Sequence, residues 1–406
     1  MSKKKRIFIA LHYLELGGVE TSLIGLLHAL DYSHYEVDVF LYRHSGELLP
    51  HVPKLARLLP ERSVYAHLEQ PIITTLLHGH LRLALARLRA KWRFHRYVQR
   101  TAPKDGSAIF GFVGAETVKV LPTLEDLGLY DLAVSFLTPH NIVLHKVQAR
   151  RKVAWIHTDY SRIDVNVDLE LPVWSAYDAI ASISPSATKA FLMRFPTLQP
   201  KVVEIENIQP TSLIHAQLQA VNNENVLKEM PCPTGTWRLL SIGRFCEAKN
   251  FDNIPAICRR LWEMGLSVHW FLVGYGEGEA LIRRRIKEEG MEGKVIVLGK
   301  RTNPYPYIAA CDIYVQPSRY EGKSVTVREA QLLCKPVVIT NYATASSQIE
   351  DGVDGIIVPM DNEGCAQGIA RYLRNTSLRQ RHIAHLQAHD YSGREEVQKI
   401  IRLMSN

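Results

Sequence analysis

Two acids eight residues apart, Glu321 and Glu329, stand in the run Ser318-Arg319-Tyr320-Glu321-Gly322-Lys323-Ser324-Val325-Thr326-Val327-Arg328-Glu329-Ala330. The apolar run Ile313-Tyr314-Val315 before it reads as a buried parallel strand, Val325 to Cys334 as a helix, and Pro336 to Thr340 as the next strand. The acids therefore sit at the C-terminal end of a strand, on the turn that opens a helix, where open α/β sheets bind ligands. Unpaired backbone N–H groups from Gly322 through Lys323 and Ser324 to Val325 would make a positive seat for a phosphate. On a regular helix eight residues span about 12 Å, comparable to the separation of the two outer sugars of a nucleotide-diphosphate-sugar. One carboxylate could then hold a transferred sugar and the other a ribose. An exposed helix acid and an unrelated loop acid would show the same spacing, so it is the order of strand, Glu-Gly turn, helix and strand that carries the reading.

The elements that must position these acids come from a chain of 406 residues, 46% hydrophobic, enough for two α/β domains with separate cores. A net charge of +8 favours anionic partners: nucleotide phosphates, an anionic membrane surface or nucleic acid. The six cysteines (Cys232, Cys246, Cys258, Cys311, Cys334, Cys365) form no C-x-x-C pair and read as reduced core thiols of a cytoplasmic protein. The histidines form no H-E-x-x-H pattern, and no metal site is expected. Lys3-Lys4-Lys5-Arg6 before an apolar run resembles the start of a signal peptide. The run ends by Glu15 without a small-residue cleavage site, so a first strand is the better reading. No apolar stretch approaches the roughly 20 residues of a membrane span, and a soluble or at most peripheral protein is expected.

In chain order, Arg6 to Leu11 reads as the first strand and Val19 to Leu30 as an amphipathic helix. Between them Gly17-Gly18 would let the backbone approach a ligand closely; an ordinary strand–helix turn fits the same residues. Val37 to Tyr42 reads as the second strand. From Leu81 to Arg100 the sequence LRLALARLRAKWRFHRYVQR is basic, with no acid between Glu69 and Asp105. Leucines and the aromatics Trp92, Phe94 and Tyr97 interleave, the composition of a helix lying on an anionic membrane. A solvated surface helix is the alternative, and nucleic acid is not expected because no recognised module surrounds the segment. Tyr130 to Phe136 and Lys152 to Ile156 read as buried strands, the second running into Trp155-Ile156-His157-Thr158-Asp159 and placing His157 at a strand end. Ala179 to Ser184 is a further strand, Ser184-Pro185-Ser186 caps a helix from Ala187 to Arg194, and Val202 to Glu206 closes the first half.

Residues 207–236, rich in Pro, Asn and Gly, read as a linker. A second alternation follows. Leu239 to Ile242 is a strand leading into Gly243-Arg244-Phe245-Cys246-Glu247-Ala248-Lys249-Asn250, and His269 to Val273 leads into Gly274-Tyr275-Gly276-Glu277-Gly278. The third glycine is misplaced for G-x-G-x-x-G, so a nicotinamide cofactor is not expected, while close backbone approach to a nucleotide is. Val295 to Leu298 ends in Gly299-Lys300-Arg301, Tyr305 to Ala310 is a short helix, and Gly355 to Pro359 is the last strand. Helices are expected over Gln367 to Arg374, Leu378 to His385 and Glu395 to Met404.

The Glu321, Gly322, Glu329 and Ala330 pattern resembles the signature of the retaining glycosyltransferases of family 4, which have the GT-B fold: α/β, with two Rossmann-like domains facing across a cleft. Lys323-Ser324 departs from the family's usual Phe-Gly, looks like a bacterial surface-polysaccharide subgroup, and leaves the donor sugar open. Gly243 to Lys249 resembles the family's glycine-arginine-to-lysine element, and the run around His157 its histidine after a matching strand. The resemblance implies an acceptor-side domain over 1–206, a nucleotide-sugar domain over 237–389, and a C-terminal segment, 390–406, crossing back onto the first domain. It implies that Arg244 and Lys249 hold the donor diphosphate without a metal or other cofactor, and that Gly17 and Gly18 face that diphosphate. Gly243, Gly274, Lys300 and Arg301 would line the nucleotide, with the base held largely through backbone atoms near Lys300. Glu329 would hold the ribose, Glu321 the transferred sugar, and His157 that sugar or its developing charge. The partners implied are a nucleotide-sugar, UDP favoured over GDP, and a saccharide or lipid-linked acceptor. Two rivals belong to other classes: a sugar-nucleotide epimerase of the same architecture, which would turn over the donor alone, and a basic RNA-binding protein, which would leave the Glu321–Glu329 element without a purpose.

Overall fold

Apolar runs without alternation make strands buried on both faces of a parallel sheet, and two such sheets form here. In a computed structural model, residues 4–103 and 105–404 are described, so Lys3 of the basic start lies outside them. The chain divides into two units, one of residues up to 208 together with those from 394 on, the other of residues 209–393.

The first unit runs β1 (Lys5–Leu11), α1 (Gly18–Ala29), β2 (Tyr35–Leu41), β3 (Arg57–Leu58), α2 (Ser63–Ala66), α3 (Ile72–Leu77), α4 (Leu81–Thr101) and α5 (Ile109–Thr117). It continues with β4 (Tyr130–Ser135), α6 (Asn141–Lys146), β5 (Ala149–Ile156), α7 (Val167–Ser175), β6 (Ala179–Ser182), α8 (Pro185–Arg194) and β7 (Val202–Glu204). Its parallel sheet has the order β3-β2-β1-β4-β5-β6-β7. Phe8, Phe40, Tyr65, Tyr130 and Phe191 fill the core on one side of it. The Ser184 hydroxyl caps α8 by accepting from the Ala187 N–H at 3.1 Å, as its sequence predicts.

The second unit runs α9 (Thr211–Gln219), α10 (Asn223–Glu229), β8 (Trp237–Ile242), α11 (Ile254–Glu263), β9 (Val268–Val273), α12 (Glu279–Glu288), β10 (Val295–Gly299) and α13 (Tyr305–Ala310). Then come β11 (Ile313–Gln316), α14 (Val325–Leu332), β12 (Val337–Thr340), β13 (Ile356–Val358), α15 (Asn362–Arg374) and α16 (Thr376–Ala388). The sheet order is β10-β9-β8-β11-β12-β13, again parallel. The last helix, α17 (Val397–Arg402), falls in the first unit, where Lys399 donates to the Glu204 carbonyl at 3.2 Å.

Two expectations need correction. The stretch 207–236 is no bare linker. Its Pro and Asn residues punctuate two helices, and Ile214, Val226 and Met230 are buried in the core of the second unit. Composition registered the breakers and missed the apolar spacing between them. The helix after Glu321 begins at Val325, as the sequence predicts, so the two acids do not share a helix and the straight-helix distance drawn between them does not apply.

Candidate active site

Both sheets reverse strand order once, between β1 and β4 and between β8 and β11. At such a switch point the loops leave in opposite directions and open a crevice at the strands' C-terminal ends. In the second unit the loops there are 243–253 after β8 and 317–324 after β11, and they are stitched together. Asn250 Nδ2 donates to the Pro317 carbonyl at 2.9 Å, and Arg319 pairs with Asp252 at 2.8 Å and donates to the Glu247 carbonyl at 2.6 Å. Asn250 holds the left-handed backbone this turn needs, at φ +61°.

That stitching brings Lys249 to Glu321, with Nζ 2.5 Å from Oε1. The lysine stem crosses Gly243, where a Cβ would come 3.2 Å from Lys249 Cε, so the glycine leaves room for the crossing. Glu321 also accepts from the Ser318 hydroxyl at 2.6 Å and from Gln316 Nε2 at 3.2 Å. Behind them the Tyr314 hydroxyl donates to Gln316 Oε1 at 2.6 Å, which fixes the amide. Arg244 is exposed on the same loop as Lys249.

Glu329 lies on α14, 3% exposed, and accepts from the Tyr305 hydroxyl at 3.2 Å. Burial pushes its carboxyl up to about 8, the hydrogen bond from Tyr305 pulling weakly the other way. An exposed helix acid and a loop acid are thus excluded: neither carboxylate is a solvated surface group.

Three other predicted features fall differently. The Ser324 N–H, expected as part of an open phosphate seat, donates to Gln348 Oε1 at 2.7 Å, and Gln348 Nε2 returns a bond to the Ser324 carbonyl at 3.0 Å. Nothing in the local sequence marks a side chain 24 residues downstream as that cap. Gly274 sits at φ +154°, and a Cβ there would lie 1.9 Å from the Gly243 carbonyl oxygen. The glycine thus serves the packing of one strand-end loop on another, reinforced by the Phe245 N–H on the Tyr275 carbonyl at 2.8 Å. Arg301 is committed to Glu229 of α10 at 2.6 Å and to the Tyr307 hydroxyl at 2.8 Å, while Lys300 lies over the Tyr275 ring at 4.8 Å.

In the first unit, His157 follows β5 with its ring packed near those of Phe136 and Trp155, centroids 4.6 and 5.8 Å away. Burial pushes its imidazole down to about 3, and Nε2 has no hydrogen-bond partner among the described residues. His12 at the end of β1 pairs through Nδ1 with Glu69, an arrangement not anticipated from sequence because the two lie 57 residues apart. Gly17 caps α1 in extended backbone, and a Cβ there would meet the Glu20 carboxylate at 2.2 Å. An acid therefore already occupies the turn expected to face a diphosphate.

Solved structures share this two-sheet architecture. Anabaena HepE in complex with UDP and glucose superposes with a TM-score of 0.69 over 98% of this chain and 99% of that one, at 17% identity. The chain has the GT-B fold. A Staphylococcus aureus TarM variant in complex with fondaparinux, α-GlcNAc-glycerol and UDP gives a TM-score of 0.67 at 14% identity, covering 99% of this chain and 100% of TarM. Residues 222–387, most of the second GT-B domain, match the family described as glycosyl transferases group 1. The lipopolysaccharide core biosynthesis glycosyltransferase LpsE of Rhizobium meliloti is 30% identical over 144 residues, 35% of this chain and 41% of LpsE. The amylovoran biosynthesis glycosyltransferase AmsK of Erwinia amylovora is 30% identical over 148 residues, 34% of this chain and 36% of AmsK. The alignments thus span about two fifths of these relatives' length.

Proposed function

We propose that the chain is a glycosyltransferase that moves a sugar from a UDP-sugar to a hydroxyl of a saccharide or lipid-linked saccharide, with retention at the anomeric carbon, in the synthesis of a bacterial surface glycan. The observation that carries this is the Lys249–Glu321 pair at the β8/β11 switch point, beside exposed Arg244, within the segment matched by group 1 glycosyltransferases. The names of LpsE and AmsK support a surface glycan, and the UDP in the HepE and TarM complexes supports the base.

In this reading the bond from the anomeric carbon to the β-phosphate oxygen breaks, and its electron pair stays on the phosphate. Arg244 and Lys249 stabilise that growing charge, so no metal is needed. Lys249 neutralises Glu321. A diphosphate would compete for the ammonium and free Glu321 to accept from a hydroxyl of the sugar. The acceptor oxygen attacks on the same face as the leaving group, and its proton passes to the departing phosphate. Glu329 takes the ribose. His157 keeps its assignment to the transferred sugar, with its buried imidazole neutral.

Thermal stabilisation by a panel of nucleotides and nucleotide sugars, with EDTA present, tests the donor site. A ligand at 100 times its Kd stabilises by about 2.7 kcal/mol, and a selective UDP response reduced in Glu329→Ala is the expected result. No response to any nucleotide would reject the assignment. Product formation that requires an acceptor separates transfer from epimerisation, and the anomeric proton coupling in the product reads the stereochemistry.

A further inference from the structure

Helix α4 has two apolar faces, and packing against the rest of its unit uses one. Leu83, Ala86 and Ala90 are buried, and Phe94 and Tyr97 on that side reach Phe112 of α5 with centroids 6.0 and 5.5 Å apart. The sequence had suggested all three aromatics of this helix as interfacial; the structure turns two of them inward. Leu81, Leu85, Leu88 and Trp92 recur at i, i+4, i+7 and i+11, which aligns them in one ridge on the opposite side. They are 59%, 56%, 48% and 57% exposed. The short α3 adds Ile73, Leu76 and Leu77, exposed by 72%, 43% and 81%. Seven of the 15 exposed large apolar residues among the described residues therefore fall between positions 73 and 92. Scattered apolar residues on a surface need no explanation, whereas a contiguous ridge does.

Charge decides what covers the ridge. Arg82, Arg89 and Arg96 recur every seven residues and form the adjacent stripe of the helix. Arg96 also lies over the Trp92 ring at 4.8 Å. Two other arginines are spent inside the unit: Arg87 donates to the His67 carbonyl at 3.2 Å, and Arg93 pairs with Glu116. Arg89 touches Glu116 at 3.4 Å with its side chain 68% exposed. With no acid on α3 or α4, a second copy packed two-fold on this ridge would set cation against cation. An apolar ridge rimmed by arginine instead matches the acyl boundary and phosphates of an anionic bilayer.

We infer that α3 and α4 form a membrane-docking surface that lays the Leu81–Trp92 ridge into an anionic bilayer, with the arginine stripe on lipid phosphates. Through Arg87 the pair is tied to the loop carrying Glu69, the partner of His12 at the end of β1. Docking would thus hold the strand ends of the first unit near the lipid surface, and its purpose, though not its geometry, rests on the lipid-linked acceptor proposed above.

Co-sedimentation of the full chain with phosphatidylcholine vesicles, with and without phosphatidylglycerol, tests this. The wild-type protein is expected to bind the anionic vesicles preferentially, with brominated lipid quenching its fluorescence less in Trp92→Phe. Leu85→Ser/Leu88→Ser/Trp92→Ser is expected to lose binding by more than tenfold at an unchanged melting temperature. Arg82→Gln/Arg96→Gln is expected to lose roughly fivefold for each charge removed. Absence of wild-type binding overturns the inference, as does a serine variant that binds like wild type. A wild-type dimer that the serine substitutions convert to monomer would also overturn it, by assigning the ridge to a second copy. A UDP response without vesicle binding removes the docking surface alone, and vesicle binding without a nucleotide response removes the donor-site reading alone.

Discussion

Lys249 and Glu321 neutralise each other at 2.5 Å, and each is assigned to a different part of the donor. Losing either therefore removes a donor contact and also leaves its partner without a counter-charge. Lys249→Ala and Glu321→Gln are each expected to lower turnover by on the order of 10²-fold or more. The double variant should fall short of the product of the two effects, since contacting groups are not additive; a double-mutant cycle on kcat/KM checks this. Glu329 supports a stability prediction with a definite sign. Its carboxyl titrates near 8 when folded and near 4.5 when unfolded. Below 4.5 both states hold the proton. Between 4.5 and 8 only the folded state does, so raising the pH favours unfolding, and above 8 the penalty is constant. Glu329→Gln should thus melt above wild type at alkaline pH by an amount worth at most about 5 kcal/mol, and the difference should close as the pH falls to 4.5. Melting curves across that range would refute the burial argument if the two proteins ran parallel.

The strand-end loops work as elements because their backbones touch. Gly243 lets the Lys249 stem cross, and Gly274 lets the β9 loop lie on the Gly243 carbonyl. At Gly274 an alanine meets both a disfavoured φ and a backbone oxygen 1.9 Å from its Cβ, which no side-chain adjustment relieves. Gly274→Ala is expected to destabilise the protein by roughly 2–4 kcal/mol and to weaken UDP binding; denaturant unfolding beside a UDP titration measures both. The glycine pattern after β9 was legible in the sequence, but its reason was not. A repeated glycine looks alike whether it makes room for a ligand or for a neighbouring loop.

For the whole molecule, α9 and α10 decide where the second unit begins. Ile214, Val226 and Met230 close its core around Tyr305, Tyr307 and Ile308. A fragment of residues 209–393 is therefore expected to be soluble and to keep its nucleotide response. One of residues 237–393 would expose that core and aggregate. Light scattering of the two fragments distinguishes this from a linker over 207–236, under which both would behave alike.

The sequence by itself determined the alternation of strands and helices, because unbroken apolar runs and helical spacing depend only on neighbours along the chain. It also marked Glu321, Arg244, Lys249 and His157, which follow strands, and Glu329 on the helix after β11, since strand ends are where such sheets bind ligands. Tertiary structure alone decided which of these groups meet. The Lys249–Glu321 pair spans 72 residues, the Gln348 cap on Ser324 spans 24 and the His12–Glu69 pair spans 57. It also decided which side of α4 is buried, because a helix with two apolar faces has no internal signal for which one its neighbours will cover. Long-range contacts follow from how layers pack, and packing is a property of the folded sheet order that no local window of residues contains.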